Sequence, residues 1–357
     1  MNTPLNPAVA DVTLVTGASG WLGMRLVESL MRGLPEVPAL AQPSRRASVR
    51  CLVRTDADGA ELAAIPGVAC VRGDLTAPET LEPFVDGARG ATLFHCAGVI
   101  HPSRVSEFEA VNAAGTRHLL DAAARAGVRR FIHVSSNSPF GANPTRDHVF
   151  TEEARYNPYM GYGRSKMAGE QAVSQASTEG RLETVIVRAP WFYGPGQPPR
   201  QTQFFTMIRQ GGFPLVGDGG NRRSMAYVDN LCQGMLLAER TDAARGEGFW
   251  IADERPYSMN EIIETVENVM ERDFGIAVTR KRLRLPSAAS DIARAADRML
   301  QAVGLYEQKI HVLSEMNLTI ACSVEKARQQ LGYRPTVALE EGMRRSLAWV
   351  LDRGIAV

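Results

Sequence analysis

TGASGWLG, residues 16–23, follows the apolar run VTLVT and leads into a helical pattern. Its three glycines are spaced G-x-x-G-x-x-G. A tight strand-to-helix turn needs glycine where a side chain would block the backbone, and the N–H groups at the start of the helix then face an anionic pyrophosphate. We therefore predict a dinucleotide site, with a purely structural glycine turn as the alternative. The predicted cofactor contacts in this turn are Gly17, Ser19, Gly20, Trp21, Leu22 and Gly23.

The sequence beyond this turn alternates short apolar segments with helical patterns. Predicted strands lie at 12–16, 49–53, 68–71, 91–97, 130–136 and 183–190. Short, nearly continuous apolar strands separated by helices indicate a parallel sheet covered on both faces. The predicted fold class is α/β, a Rossmann-type doubly wound parallel sheet with a smaller C-terminal substrate-binding lobe.

The chain is expected to divide into two regions. Residues 1–190 form mainly the NAD(P)-binding Rossmann domain, and residues 191–357 form mainly the substrate-binding lobe, with 222–245 returning to the Rossmann domain. Residues 33–48 contain three prolines and interrupt the direct step from the first helix to the second strand. We predict that this segment is a surface insertion.

The composition argues against macromolecular partners recognised by overall charge. The 357 residues include 40 basic and 39 acidic ones, so the net charge of +1 gives no field that attracts nucleic acid or an anionic membrane. The basic run TRKRLRL (279–285) lacks interleaved aromatic residues, so we interpret it as a solvated edge strand, with a phosphate-binding stripe as the alternative. No stretch approaches ~18 consecutive apolar residues, and we expect no membrane insertion.

Cysteine and histidine usage indicates a cytoplasmic protein without a metal site. The five cysteines are scattered in apolar runs, which suits a reducing compartment, and residues 1–10 lack a signal-peptide pattern. The six histidines show no metal-ligand spacing. We predict that His95 and His133 are buried side chains with satisfied hydrogen bonds.

The end of the second predicted strand selects the cofactor. Arg54 stands where a basic residue would pair with the 2'-phosphate of NADP, which favours NADP over NAD. Asp56 lies close enough that a shift of two residues would reverse this choice, and a solvated strand end is the alternative for Arg54. Further contacts are predicted after the third and fourth strands, at Asp74 and Leu75 for the adenine and at Ala97 and Gly98 for the cofactor backbone.

YGRSK (162–166) places Tyr162 four residues before Lys166, one of only four lysines in the chain. On a helix these side chains share a face about 6 Å apart at their Cβ atoms. A phenol with an ordinary pKa of ~10 exchanges protons near neutrality when a nearby positive charge lowers that pKa. Serines of VSSNSPFG end a predicted parallel strand, where such sheets bind ligands. We predict that Tyr162, Lys166 and a serine form a catalytic group.

Taken in order, these motifs resemble the extended short-chain dehydrogenase/reductase family, which includes nucleotide-sugar epimerases and dehydratases and 3β-hydroxysteroid dehydrogenase-like enzymes. The resemblance runs from about residue 11 to 352 and also includes GDL, HCAG, VNAAGT, RAPWFYGPG and RRSMAYVDN. It implies that Ser136 is the active serine, that Asn112 is a structural asparagine and that Pro190 contacts the nicotinamide. It also implies a homodimer formed through helices at 112–126 and 162–177.

The resemblance implies reversible hydride transfer at a carbinol or ketone carbon. Tyr162 would pass the proton, Lys166 would lower its pKa and hold the ribose, and Ser136 and Asn137 would contact the substrate. The Thr-Asp-Glu of similar dehydratases is replaced by Ser-Asn-Ser at 136–138, so we expect oxidoreduction or epimerisation instead of dehydration.

Arg223 matches the arginine that holds the substrate diphosphate in nucleotide-sugar enzymes, with an ion pair to an acidic neighbour as the alternative. We therefore predict a nucleotide-activated sugar as substrate. The alternatives are a hydroxysteroid dehydrogenase-like enzyme acting on an apolar alcohol or ketone, and a non-catalytic dinucleotide sensor.

Overall fold

The computed structural model describes residues 11–43 and 48–357. Residues 1–10, on which the signal-peptide prediction depends, and residues 44–47 of the predicted insertion lie outside the described residues. The strands are β1 (Val12–Thr16), β2 (Ser48–Val53), β3 (Val68–Arg72), β4 (Thr92–His95), β5 (Arg130–Ser136), β6 (Glu183–Ala189), β7 (Trp191–Tyr193), β8 (Pro214–Val216), β9 (Arg222–Arg223), β10 (Met225–Tyr227), β11 (Gly248–Trp250), β12 (Tyr257–Ser258) and β13 (Leu283–Leu285).

Helices separate most of these strands. They are α1 (Trp21–Arg32), α2 (Asp56–Ala63), α3 (Glu82–Val85), α4 (Gly115–Arg125), α5 (Met160–Thr178), α6 (Pro199–Arg209), α7 (Val228–Arg240), α8 (Met259–Phe274), α9 (Ala288–Ala302), α10 (Gln308–Glu315), α11 (Glu325–Leu331) and α12 (Leu339–Asp352). A π-helical segment, Phe108–Ala114, leads directly into α4, so the helix predicted at 112–126 begins earlier than its sequence pattern indicates.

The central sheet has seven strands in the order β3-β2-β1-β4-β5-β6-β11, and all neighbours in it pair in parallel. This order reverses direction between β1 and β4, which is the point where doubly wound sheets open a crevice at the carboxyl ends of their strands. The predicted Rossmann-type α/β fold is confirmed.

Helix α1 shows how the sequence pattern packs against the sheet. Leu22, Leu26, Val27 and Leu30 are buried on one face, and the helix ends at Gly33, whose φ is 80°. Burying such side chains contributes about 1.5–3 kcal/mol each. Because α1 follows the glycine turn directly, this packing fixes the turn at the carboxyl edge of β1.

The second half of the chain contributes to two hydrophobic clusters. Helix α7 packs against α1, β5 and β6 and adds Leu231 and Met235 to the core of the large sheet. Helices α6, α8 and α12 form a separate core with the short strands, centred on Tyr227, Ile262 and Leu347. The exact domain boundaries stay a prediction.

The predicted surface insertion is only partly at the surface. Leu34, Val37 and Leu40 are buried in the core that also holds α1. The backbone closes on itself there, since the N–H of Leu34 donates to the carbonyl of Leu40 at 2.7 Å. The prediction of a surface segment rested on the prolines, which indicate an irregular backbone. They do not indicate exposure, because burial of this segment depends on the apolar residues between them.

Candidate active site

The glycine turn has the backbone geometry that its sequence predicts. Gly17 has a φ of 68°, and a Cβ there would lie 2.6 Å from the backbone nitrogen of Ala97. A Cβ at Gly23 would lie 2.0 Å from the carbonyl oxygen of Gly17. Both distances are too short for any side chain, so the turn packs backbone against backbone.

The open side of this turn fits a pyrophosphate. Ser19 and Gly20 are exposed, and Gly20 precedes α1 without any side chain that caps the helix. The first-turn N–H groups therefore have no side-chain acceptor, and they are the donors that an anion at a helix N-terminus uses. The residues present fit the dinucleotide predicted from sequence.

The next two residues of the turn differ in role. The indole nitrogen of Trp21 donates to the carbonyl of Pro195 at 2.7 Å, and its ring lies 4.7 Å from the ring of Phe192, centroid to centroid. Leu22 is buried in the core. Trp21 thus ties the turn to the segment after β7, and a contact of Leu22 with a cofactor would be made by its backbone.

The residues expected at the adenosine end lie at the carboxyl ends of β2 and β3. Arg54 is exposed, and Asp56 begins α2 with its carboxylate 3.9 Å from the guanidinium of Arg72. The Asp74 carboxylate accepts hydrogen bonds from the Thr76 N–H and hydroxyl at 2.8 and 2.7 Å. Both predicted cofactor contacts, Arg54 and Asp74, stay predictions.

Asn112 organises the loop after β4. Its side chain donates to the carbonyl of Val99 at 2.9 Å and accepts from the Val99 N–H at 2.8 Å. A Cβ at Gly98 would lie 3.2 Å from the Asn112 side-chain oxygen, so glycine lets this loop pack closely against Asn112. Asn112 also donates to the Ser165 hydroxyl at 3.1 Å, which links the loop to α5. Ala97 is the half-buried residue that meets Gly17.

Tyr162, Ser136 and Lys166 come together at the carboxyl end of β5. Ser136 ends that strand, Tyr162 lies in the first turn of α5, and the Tyr162 phenol interacts with the Ser136 hydroxyl. The Nζ of Lys166 is buried and donates to the carbonyl of Val134 at 2.7 Å. Asn137 follows Ser136 half-buried, and Pro190 is buried directly after β6.

The charge state of this group differs from the sequence-based expectation. Burial raises the pKa of Tyr162 to about 12, while Ser136 lowers it and Glu315 raises it. Burial also lowers the pKa of Lys166 to about 8. The pKa of the phenol is therefore raised where the sequence predicted that Lys166 would lower it, because burial has the largest effect on this group. Near neutrality Tyr162 is a proton donor.

Two buried histidines lie beneath this group. His95 bonds to the hydroxyls of Thr16 and Thr116 at 2.8 and 3.0 Å, and burial lowers its pKa to about 3. His133 is also buried, but neither of its ring nitrogens has a hydrogen-bond partner among the described residues. The prediction of satisfied histidines is correct for His95 and wrong for His133.

Aromatic rings form one wall beside the Tyr162 phenol. Its ring lies 5.8 Å from Phe108, which in turn meets Tyr306 edge-on at 5.7 Å. The Tyr306 hydroxyl bonds to the Nδ1 of His101 at 2.8 Å, so this wall joins the loop after β4 to the segment between α9 and α10. We call Phe108, Tyr306 and His101 the aromatic wall.

A chain of buried polar side chains connects α9 to the start of α5. The carboxamide oxygen of Gln301 accepts from the Gly161 N–H at 2.9 Å, and its nitrogen donates to Asp297 at 2.9 Å. Asp297 also bonds to Nδ1 of His311 at 2.7 Å. Burial opposes charge on His311, but Asp297 and Glu315 leave its pKa above the usual value. Because Gly161 precedes Tyr162, this network helps to set the position of the phenol.

Arg223 lies in the short strand β9 and already has contacts in the protein. Its guanidinium donates to the backbone carbonyl of Glu315, and its charge interacts with the Glu315 carboxylate. Burial lowers the pKa of Arg223, and Glu315 raises it. The alternative drawn from sequence, an ion pair with an acidic neighbour, is met only in part, because the guanidinium bonds to the backbone of Glu315 while the Glu315 carboxylate acts on it through its charge. A role toward a substrate diphosphate stays a prediction.

Comparison with known proteins identifies the group to which the chain belongs. The model of the family described as "NAD dependent epimerase/dehydratase family" matches residues 13–252. The chain belongs to the NAD-dependent epimerase/dehydratase family. This confirms the resemblance drawn from the motifs, and the chain is an enzyme.

Individual relatives of this family member span nearly its whole length. A Sinorhizobium fredii protein, y4nL, which has no characterised function, is 52% identical over 97% of this chain and 96% of its own. A 4-hydroxy-2-methyl-3-oxo-4-farnesyl-3,4-dihydroquinoline-1-oxide ketoreductase of Stigmatella aurantiaca is 27% identical over 93% of this chain and 94% of its own. The NAD-bound dTDP-glucose 4,6-dehydratase DesIV of Streptomyces venezuelae has a TM-score of 0.73 at 26% identity, covering 96% of this chain and 98% of its own.

Sequence reasoning missed several residues of this epimerase/dehydratase family member's site. Asp297 and Gln301 lie in α9, and Tyr306, His311 and Glu315 lie in or just before α10; none of these five was singled out from the sequence. One signal was present: Ala293, Asp297 and Gln301 recur every four residues and are all buried. Polar residues on the buried face of a helix need partners, and this pattern predicts a hydrogen-bonded network.

Proposed function

We propose that the protein reduces a ketone to a secondary alcohol with a nicotinamide dinucleotide, reversibly. The observation that supports this most is the protonated Tyr162 phenol, with a pKa of about 12, held against Ser136 at the carboxyl edge of the sheet. A neutral phenol is the form that a reduction needs, since the alkoxide formed by hydride addition must take up a proton.

Each residue then has a stated part in the reaction. The cofactor, when bound, supplies the hydride to the carbonyl carbon. Ser136 donates a hydrogen bond to the carbonyl oxygen, and Tyr162 transfers its proton to that oxygen as negative charge develops there. Lys166 holds the ribose hydroxyls and offsets the charge on the phenolate that remains. Ser136, Asn137 and Ser138 offer no carboxylate, so dehydration has no acid or base at those positions.

The substrate we propose is an apolar ring ketone. The aromatic wall makes the surroundings of the Tyr162 ring apolar, with Phe108 itself buried, and an apolar environment suits a hydrophobic skeleton. Arg223 is occupied by the Glu315 carbonyl, which weakens the case for a bound diphosphate there. The ketoreductase of Stigmatella aurantiaca, similar over nearly the whole chain, acts on a farnesylated ring ketone by its name.

A nucleotide-activated sugar, the substrate predicted first from sequence, is the second candidate. Similarity to the dTDP-glucose 4,6-dehydratase DesIV favours it, and Arg223 would then leave Glu315 to bind the diphosphate. Titrating dTDP- and UDP-sugars and a series of apolar ring ketones, with absorbance of the reduced cofactor as readout, separates the two. Turnover of sugars without turnover of ketones would refute our proposal. Retained NAD in the purified protein would favour an epimerase.

Arg54 tests the choice between NADP and NAD. We expect Arg54→Ala to raise the KM for NADPH about 5- to 10-fold, because one charge-assisted contact with the 2'-phosphate is lost at an exposed site. The KM for NADH should change less than about twofold. The control is Arg32→Ala, another exposed arginine, at the far end of α1. An equal change for both cofactors would show that Arg54 does not read the 2'-phosphate.

Gln301 tests the network that positions the catalytic helix. We expect Gln301→Met to lower kcat about 10-fold, because methionine loses the hydrogen bonds that Gln301 makes with Gly161 and with Asp297. The Kd for the cofactor should stay within about twofold. Gln175→Met, at an exposed site near the end of the same helix α5, is the matched control. A fall in cofactor affinity equal to the fall in kcat would show general destabilisation instead of a positioning role.

Homodimer formation and a cytoplasmic location are also proposals. No helix among the described residues is long and apolar enough to cross a bilayer.

A further inference from the structure

A cavity of about 510 Å³ lies between the first turn of α5 and helix α9. Its size is within the range of small-ligand sites. No residue of the glycine turn lines it, so it is separate from the predicted pyrophosphate site. The lining residues are Gly141, Ala142, Asn157, Pro158, Tyr159, Met160, Arg164, Arg294, Arg298, Gln301, Ala302 and Leu318.

The lining is strongly cationic. It contains three arginines and no aspartate or glutamate. Within residues 11–43 and 48–357, the side chains of Arg164 and Arg298 have neither an ion pair nor a hydrogen bond, although most other arginines of the protein have one. Three guanidinium groups around one concave surface focus a positive potential there.

Arg294 is the most constrained of the three. Its Nη2 lies 3.5 Å from the exposed carboxylate of Asp291, which is outside the cavity lining. Its Nε is buried and has no hydrogen-bond partner among the described residues. A buried guanidinium N–H without an acceptor is costly, and an anion in the cavity would supply that acceptor.

Helix α5 adds to the same potential. It is 19 residues long, begins at Met160, and has no side-chain cap at Tyr159. The start of a helix has a partial positive charge that favours anions. The Gly161 N–H already donates to Gln301 and is not free to bind an anion. Helix α5 therefore attracts an anion mainly through its dipole.

We propose that this cavity binds a diphosphate group through Arg164, Arg294 and Arg298. Arginine forks match phosphate oxygens in geometry, and three of them balance the charge of a diphosphate better than that of a monocarboxylate. The proposal concerns binding at this cavity and does not rest on the reaction proposed above. The diphosphate could belong to a substrate that reaches the catalytic group or to a free nucleoside diphosphate that acts as an effector.

Inorganic pyrophosphate is the probe, titrated calorimetrically into the full-length protein saturated with whichever of NADPH or NADH binds more tightly. Saturation with the cofactor fills the site at the glycine turn, so any pyrophosphate that still binds occupies a second site. We expect one equivalent to bind, with affinity reduced about 10-fold in Arg298→Ala and in Arg164→Ala, and abolished in the double variant. Arg284→Ala, an exposed arginine in β13, is the control and should bind like the wild type.

Thermal melting of each variant shows whether it is folded, and Arg298 and Arg164 are exposed, so their truncation should not unfold the protein. Absence of binding to the cofactor-saturated wild type, or wild-type affinity in the folded double variant, would overturn the proposal. Inhibition of turnover that competes with the substrate would assign the site to a substrate diphosphate. Non-competitive modulation would assign it to an effector. Both kinetic patterns agree with a diphosphate site at this cavity.

Discussion

Replacing Tyr162 with phenylalanine is expected to lower kcat by about 10³-fold, within the range that a positioned general acid contributes. The phenol interacts with the Ser136 hydroxyl, and phenylalanine keeps the ring contact with Phe108 while removing the proton. The affinity for the cofactor should remain within a few-fold, so tryptophan-fluorescence titration and steady-state kinetics together separate chemistry from binding.

Tyr156→Phe is the matched control for this variant. Tyr156 also precedes and contacts α5, but its hydroxyl donates to Glu170 at 2.9 Å and not to a group at the catalytic edge. We expect a change in kcat of less than about threefold, with some loss of stability from the missing hydrogen bond. If Tyr162→Phe left kcat unchanged, the proton would come from another group. If no substrate were turned over by the wild type, the sensor hypothesis would gain support.

Gly17→Ala is expected to destabilise the protein by about 2–5 kcal/mol and to abolish cofactor binding. A positive φ costs an alanine about 1–2 kcal/mol, and forcing a methyl group into packed backbone adds about 1–3 kcal/mol more. At Gly17 the new Cβ would lie 2.6 Å from the Ala97 nitrogen, so the turn must open. Chemical denaturation measures the first effect, and titration with NADPH and NADH measures the second.

Gly87→Ala separates these two costs. Gly87 has a φ of 64°, close to the 68° of Gly17, but a Cβ there would meet nothing within 4 Å. We expect it to lose only about 1–2 kcal/mol of unfolding free energy and to bind the cofactor normally. Equal losses in both variants would mean that backbone conformation alone, and not the contact with Ala97, requires glycine in the turn.

Most of the fold could be predicted from local patterns because its elements are short-range features. Each of the six predicted strands of the large sheet overlaps a strand of the structure, and the stop at Gly33 follows from a backbone conformation that glycine adopts most readily. The insertion at 33–48 was misjudged because burial of Leu34 and Val37 depends on neighbours distant in the chain.

The catalytic group could likewise be predicted only in part from local patterns. A spacing of four residues predicts that Tyr162 and Lys166 share a helical face, and the end of a strand predicts that Ser136 lies nearby. The direction of the lysine ammonium toward Val134 could not be predicted, since it depends on how closely α5 packs against β5. The pKa of the phenol is raised, where its sequence context predicts a lowered one, mainly because the phenol is buried.

Residue order along the chain was enough to establish the α/β architecture, the glycine turn and the family of enzymes, because strands, turns and helices are encoded by neighbouring residues. Three-dimensional packing alone brought Gln301 to Gly161, Glu315 to Arg223 and three arginines around one cavity. Gln301 is 140 residues from Gly161, and Glu315 is 92 residues from Arg223, so no local pattern specifies either hydrogen bond. Charge and proton affinity follow from that packing, because burial and nearby charges decide which ionised forms are stable.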